Sequence, residues 1–193
     1  MPEGLLTGVC SISHTDGRGC ACSRGPHLAR ALQKAVSLFG PRDEKYVVVG
    51  IEYHNGNPQL YYPTSNHHVV VRLARRCESD CLEALYELAH ECIHLLSPTG
   101  GMDVTVLEEG LAVYFAELHL REEHGVPKYP TTQATYTEAR QAVQRLLSID
   151  ASVIRALRQR QPALSRVTAQ DLLACNRAVP RDLAERLCEP FTY

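Results

Sequence analysis

Residues 80–96 read DCLEALYELAHECIHLL. Asp80 followed by Glu83 is a capping-box-like helix start, and Leu82, Leu85, Leu88, Ala89, Cys92, Leu95 and Leu96 supply a broad apolar face. Ser97-Pro98 and Gly100-Gly101 end the pattern, so the spacing predicts a helix near residues 80–97. His90 and His94 lie one turn apart on it, so both imidazoles share a face and can reach a single ion. Glu91 sits about 100° further round the axis, where a carboxylate flanks the ion rather than binding it. That is where a general base is needed.

H-E-x-x-H on a helix is a zinc-protease signature, and this chain's own His and Glu frequencies give roughly a 3% chance of one arising at random. The bland alternative is a pair of core histidines with satisfied hydrogen bonds. Two histidines and a glutamate on an apolar helix would each need partners to offset desolvation, whereas one shared Zn²⁺ serves all three.

Before this helix the chain changes character. KYVVVGIEY (45–53), HNGNP (54–58) and QLYYPTSNHHVVVRL (59–73) combine β-branched and aromatic residues with Asn, Gly and Pro breaks, which predicts two or three antiparallel strands. His67 and His68 are adjacent, so on a strand they point to opposite faces and cannot chelate one ion as a pair. Further upstream, Leu28, Ala31, Leu32, Ala35, Val36 and Phe39 mark one side of a packing helix from Pro26 to Phe39, with Gly40 as its stop. Residues 1–24 read as irregular; Cys10, Cys20 and Cys22 lie there with His14, at spacings that would also suit a second, structural zinc.

After Cys77 the pattern is helical throughout, with further helices expected near 104–124, 132–148, 151–160, 168–176 and 181–188. Strands first and helices afterwards, without βαβ alternation or repeats, argue for an α+β fold in a single domain over 1–193.

Composition excludes several classes. The hydrophobic share of 45% and charged share of 22% are those of a globular chain. A net charge of -2 offers no general attraction for nucleic acid, and the arginines between Arg140 and Arg186 are interspersed with acidic and apolar residues as on solvated helix faces. The N-terminus lacks a basic start leading into an apolar run, and no stretch approaches the ~18 apolar residues of a membrane span, so no membrane partner and a cytoplasmic location are expected. Reduced thiols follow, with Cys81, Cys92, Cys175 and Cys188 as packing residues in helical patterns.

A catalytic zinc usually takes three protein ligands and leaves a fourth position for water. The next helix, DVTVLEEGLAVYFAEL (103–118), offers the third. Here the chain resembles the gluzincin class of zinc metallopeptidases, in which H-E-x-x-H is followed on a second helix by a glutamate, commonly just before a glycine. The matching residues are His90, Glu91 and His94, then Glu109-Gly110. The resemblance spans residues 80–120 and implies a zincin-like fold, a short antiparallel sheet followed by the active-site helix and a helical C-terminal part. Fourteen residues separate His94 from Glu109, shorter than in the thermolysin-like and aminopeptidase branches, and Val113 stands where an acidic residue would follow. Glu109 shares a helix face with Ala112, Val113 and Ala116, which with Gly110 would let the two helices approach closely. Glu108 and Asp103 remain alternatives, although Asp103 more naturally caps the second helix.

The expected chemistry is hydrolysis of a peptide or protein substrate by water activated on zinc, with Glu91 as base. The gluzincin resemblance implies a downstream Tyr or His as oxyanion donor. Tyr136 is the first choice, with Tyr129, His119 and His124 as substitutes. In zincin-like folds an edge strand above the active-site helix can hold an extended substrate, and the segment Tyr61 to Leu73 could do this, although nothing in the sequence fixes which strand is the edge. The competing reading is a noncatalytic regulatory protein that keeps zinc as a staple, although such a site has no use for Glu91.

Overall fold

The computed structural model describes residues 24–64, 67–100, 103–129 and 133–193; the cysteines at 10, 20 and 22 and His14 lie outside them. Helix α1 spans Arg24–Phe39, strands β1, β2 and β3 span Val47–His54, Gln59–Tyr61 and His68–Ala74, and helices α2 and α3 span Cys81–His94 and Val106–His124. Helices α4 to α7 follow at Ala134–Ile149, Val153–Arg160, Ala169–Cys175 and Arg181–Leu187. The fold is α+β. Gly40, with φ of 97°, ends α1 in a conformation that L side chains rarely adopt.

The sheet corrects the antiparallel expectation. Its order is β1-β3-β2, with β2 antiparallel to β3 but β1 parallel to it, Val47 opposite His68 and His54 opposite Ala74. The turn after β1 returns the chain antiparallel, yet β3 inserts between β1 and β2. The reason is burial: Val69, Val71 and Leu73 of β3 are fully buried, so β3 takes the centre, where both backbone edges are paired. Within the segment Tyr61 to Leu73, residues His68 to Leu73 therefore lie in the central strand, and Tyr61 ends the short edge strand β2. His67 rests edge-on against Tyr46, while Nδ1 of His68 bonds Thr64, so the two do not share a site.

α2 lies under this sheet. Asp80 caps it, accepting from the Glu83 backbone N–H at 3.0 Å, but the Glu83 side chain bonds Arg76 instead of closing the box. The buried Glu87 carboxylate accepts from the Ala74 N–H at 2.8 Å and from Arg76, joining the end of β3 to α2. The helix stops at His94, three residues short of the expected end, as the last turn tightens: Leu96 N–H donates to Ile93 O and Ser97 N–H to His94 O. Cys81 is disulfide-bonded, which departs from the expectation of reduced thiols; Cys77, Cys92, Cys175 and Cys188 are free. Among the described residues no helix is long and apolar enough to cross a membrane.

α3 is the central helix, buried along nearly its whole first half. Thr105, not Asp103, caps it, accepting from the Glu108 N–H at 3.3 Å, because Asp103 stays exposed. Gly110 faces α4 rather than α2: a Cβ there would lie 2.3 Å from Ala139 O and 2.8 Å from a Val143 methyl. Gly110→Ala should therefore force α3 and α4 apart. A loss of about 1–3 kcal/mol is expected, read as a lower midpoint in urea unfolding; an unchanged midpoint would contradict this packing.

Candidate active site

Two rigid elements meet at the site. The last turn of α2 brings His90 and His94 side by side, with their Nε2 atoms 3.4 Å apart. The first turns of α3 supply Glu108 and Glu109. One Glu109 oxygen lies 3.3 Å from His90 Nε2 and the other 3.6 Å from His94 Nε2. Donor atoms on one four-coordinate zinc with bonds of ~2.0–2.1 Å lie roughly 3.4 Å apart; the two Nε2 atoms have that spacing, and Glu109 turns a different oxygen to each of them. Glu91 keeps an oxygen within 4.8 Å of both ring nitrogens.

Glu108 has a different place. Its Oε1 lies 2.9 Å from His94 Nδ1, so His94 donates Nδ1–H to Glu108 and turns Nε2 towards Glu109 and His90. Carboxylates in that position orient metal-bound histidines and raise their basicity. Of the two adjacent glutamates, only Glu109 approaches both Nε2 atoms; Asp103 is exposed and outside the cluster.

The electrostatics call for a cation. Glu91, Glu108 and Glu109 are buried together, and among the described residues each has an Oε2 atom that accepts no hydrogen bond, that of Glu109 facing His90 Nε2 at 3.3 Å. Burial pushes the Glu91 carboxyl up to about 7, although His94 and His90 pull it down. Burial opposes protonation of His94, but the Glu108 hydrogen bond and the charges of Glu109, Glu108 and Glu91 raise it to about 10. Burial would raise Glu109, yet the His90 contact and both imidazoles hold it below the usual carboxylate range. Glu108, Glu109 and Glu91 thus favour positive charge at His94 amid an excess of buried carboxylate. A divalent ion would take over that role with more charge, so the donor set fits zinc.

A cleft of about 680 Å³ opens over these residues. The β2 edge, including Gln59 and Leu60, forms one wall, and Tyr86 stacked on Tyr129 at 4.2 Å forms another. Tyr136 also lines the cleft, its ring 6.3 Å from His90. Burial, then the Glu109 charge, pushes its phenol well above the usual range, so it stays a donor. Tyr129 lines the cleft as well, but gives its hydroxyl to Glu83. His119 and His124 pack against one another, and His124 meets His27 of α1, away from the cleft.

Compared with known protein families, curated proteins and solved structures, the chain matches none.

Sequence reasoning missed Glu108 as the partner of His94, the Tyr86–Tyr129 wall and the presence of Tyr193 in the cleft. For Glu108 a signal existed, since a metal-ligating His usually donates its second N–H to an acceptor such as a carboxylate. Tyr193 had none, because only tertiary structure brings residue 193 to α3.

Proposed function

We propose that this chain is a zinc-dependent peptide hydrolase with a zincin-like site of gluzincin type, in which His90, His94 and Glu109 hold the metal. The single observation that carries the reading is the mutual spacing of 3.3–3.6 Å among two Nε2 atoms and the Glu109 carboxylate, on the floor of an open cleft. A bound zinc would supply Lewis acidity, acidifying water and polarising the substrate carbonyl.

The chain's own groups do the rest. Glu91 takes a proton from the attacking water as its oxygen bonds to the carbonyl carbon. The carboxylic acid so formed then returns that proton to the amine as the C–N bond breaks. Tyr136 donates a hydrogen bond to the oxygen that becomes negative. Glu108 keeps the His94 ring turned so that Nε2 faces the ion. The outer edge of β2, unpaired among the described residues, can pair with an extended peptide backbone, which suits a peptide or protein substrate. The noncatalytic alternative leaves both the open cleft and Glu91 without a task.

Metal analysis and single substitutions test the assignment. The protein should carry close to one zinc per chain at this site, and His94→Ala or Glu109→Ala should lose it. Glu108→Ala should retain zinc with affinity lower by about 10–100-fold. Full zinc in Glu109→Ala, with loss in Glu108→Ala, would reverse the roles of the two glutamates.

A further inference from the structure

One wall of the cleft is a hydrogen-bonded chain laid along α2. The buried Glu87 carboxylate accepts from the Ala74 N–H at 2.8 Å on one oxygen and from Arg76 Nη2 at 2.6 Å on the other. Arg76, in the 3₁₀ turn that follows β3, also donates to Glu83 Oε1, from Nε at 3.0 Å and from Nη2 at 2.8 Å. Tyr129 joins from the loop after α3: its hydroxyl donates to the other Glu83 oxygen, and its ring stacks on Tyr86. The end of β3, α2 and the loop after α3 are thus fastened together around one guanidinium.

Nη1 is the nitrogen left over. It makes no hydrogen bond among the described residues, although Arg76 lines the cleft and 56% of its side chain is exposed. A planar guanidinium fixed through Nε and Nη2 turns Nη1 away from the two carboxylates that hold it. Glu83, Tyr86, Glu87 and His90 share one face of α2, and the Tyr86 ring lies 6.4 Å from that of His90. Glu83 and Glu87 precede His90 and His94 by two turns, a rise of about 10 Å, which an extended peptide covers in about three residues. The stacked Tyr86 and Tyr129 supply the surface between the two ends.

We propose that Arg76 is a substrate-binding residue whose Nη1 donates to a backbone carbonyl oxygen about three residues from the scissile bond, so that the favoured substrate is a peptide extended at least that far on one side. This rests on the peptide-hydrolase reading and adds how much of the chain the cleft holds. Charge identifies the acceptor. Glu83 and Glu87 together outweigh the one positive charge of Arg76, so this end of the cleft has no surplus attraction for an anion. A neutral carbonyl fits it, whereas a terminal carboxylate does not. Gln59 and Leu60 of the β2 edge line the same cleft, where backbone pairing can keep the peptide extended.

The test is a nested series of uncharged peptides, acetylated and amidated at their ends and lengthened one residue at a time on either side of a fixed cleavage point. Each is assayed at equal zinc loading with the parent and with Arg76→Lys, whose ammonium keeps a positive charge between Glu83 and Glu87 but lacks the planar fork and its spare nitrogen. In the parent, kcat/KM should rise about 10-fold or more at the third residue on one side, the worth of a hydrogen bond from a charged donor. Arg76→Lys should lose that step while cleaving the shorter peptides within twofold of the parent. A parent profile without the step would overturn the proposal, as would an equal loss at every length, which is what a merely structural role produces. A free C-terminal acid preferred tenfold over its amide by the parent but not by the variant would also overturn it, since the subsite would then be one for carboxylates. A zinc-loaded parent that cleaves no peptide of any length or end group would overturn the hydrolase reading as well.

Discussion

Glu91→Gln is expected to reduce peptide hydrolysis by about 10²–10⁴-fold, the usual contribution of a positioned general base, while zinc content stays at the parent level. The two side chains are nearly isosteric, so the buried volume beside His90 and His94 is preserved. What disappears is the ability to take a proton from water, since the amide cannot be protonated at working pH. Stability should not fall, because the substitution removes one of three carboxylates crowded into a buried site, and among the described residues Glu91 Oε2 has no hydrogen bond to lose. The measurement is kcat on a cleavable peptide at matched zinc loading. A variant that retains its metal and cleaves at the parent rate would end the hydrolase reading, and unchanged behaviour in every assay is what the noncatalytic alternative predicts. A variant that loses zinc would instead place Glu91 among the ligands.

Arg158→Ala is expected to be the most damaging substitution outside the site. The Arg158 guanidinium is buried and donates to Phe39 O and Gly40 O through Nη1, to Pro41 O, Leu96 O and Ser97 Oγ through Nη2, and to Pro162 O through Nε. These acceptors lie on three separate stretches: the exit of α1, the exit of α2 and the loop after α5. Burial pulls the guanidinium down to about 10, with Glu108 opposing that shift, so Arg158 still carries its charge at neutral pH. Truncation would strand carbonyls in a buried place at about 1–3 kcal/mol each, against a total stability of roughly 5–15 kcal/mol. A loss above ~4 kcal/mol is expected, which for a chain of this size lowers the melting temperature by about 10–20 °C. Arg158→Lys should recover little, because one ammonium cannot span three carbonyl-bearing segments as a planar fork does. Leu96 follows His94 by two residues, so the surviving folded fraction should also bind zinc more weakly. Thermal unfolding followed by circular dichroism reads the effect; a shift of less than ~3 °C would show that water replaces the clamp.

The local features were legible because they are written in local periodicity. The α2 segment carries its own cap at Asp80, a helical apolar face and breakers after Leu96, so the helix and the common face of His90 and His94 follow from the 3.6-residue turn alone. Gly40 as a stop, and the helices beyond Cys77, were readable for the same reason. Boundaries moved by up to three residues where a last turn tightened, as at His94, or where a different cap won, as Thr105 did over Asp103.

The sequence by itself thus determined an α+β chain with a helix presenting His90, Glu91 and His94 in ion-binding register. Only tertiary structure decided that β3 lies between β1 and β2, that Glu109 faces both Nε2 atoms while Glu108 takes Nδ1 of His94, that Gly110 serves α4, and that Tyr193 enters the cleft. Side-chain direction along one helix is a property of neighbouring residues. Which element is buried at the centre, and which of two adjacent carboxylates meets a partner helix, depends on the rotation and packing of segments far apart in the chain.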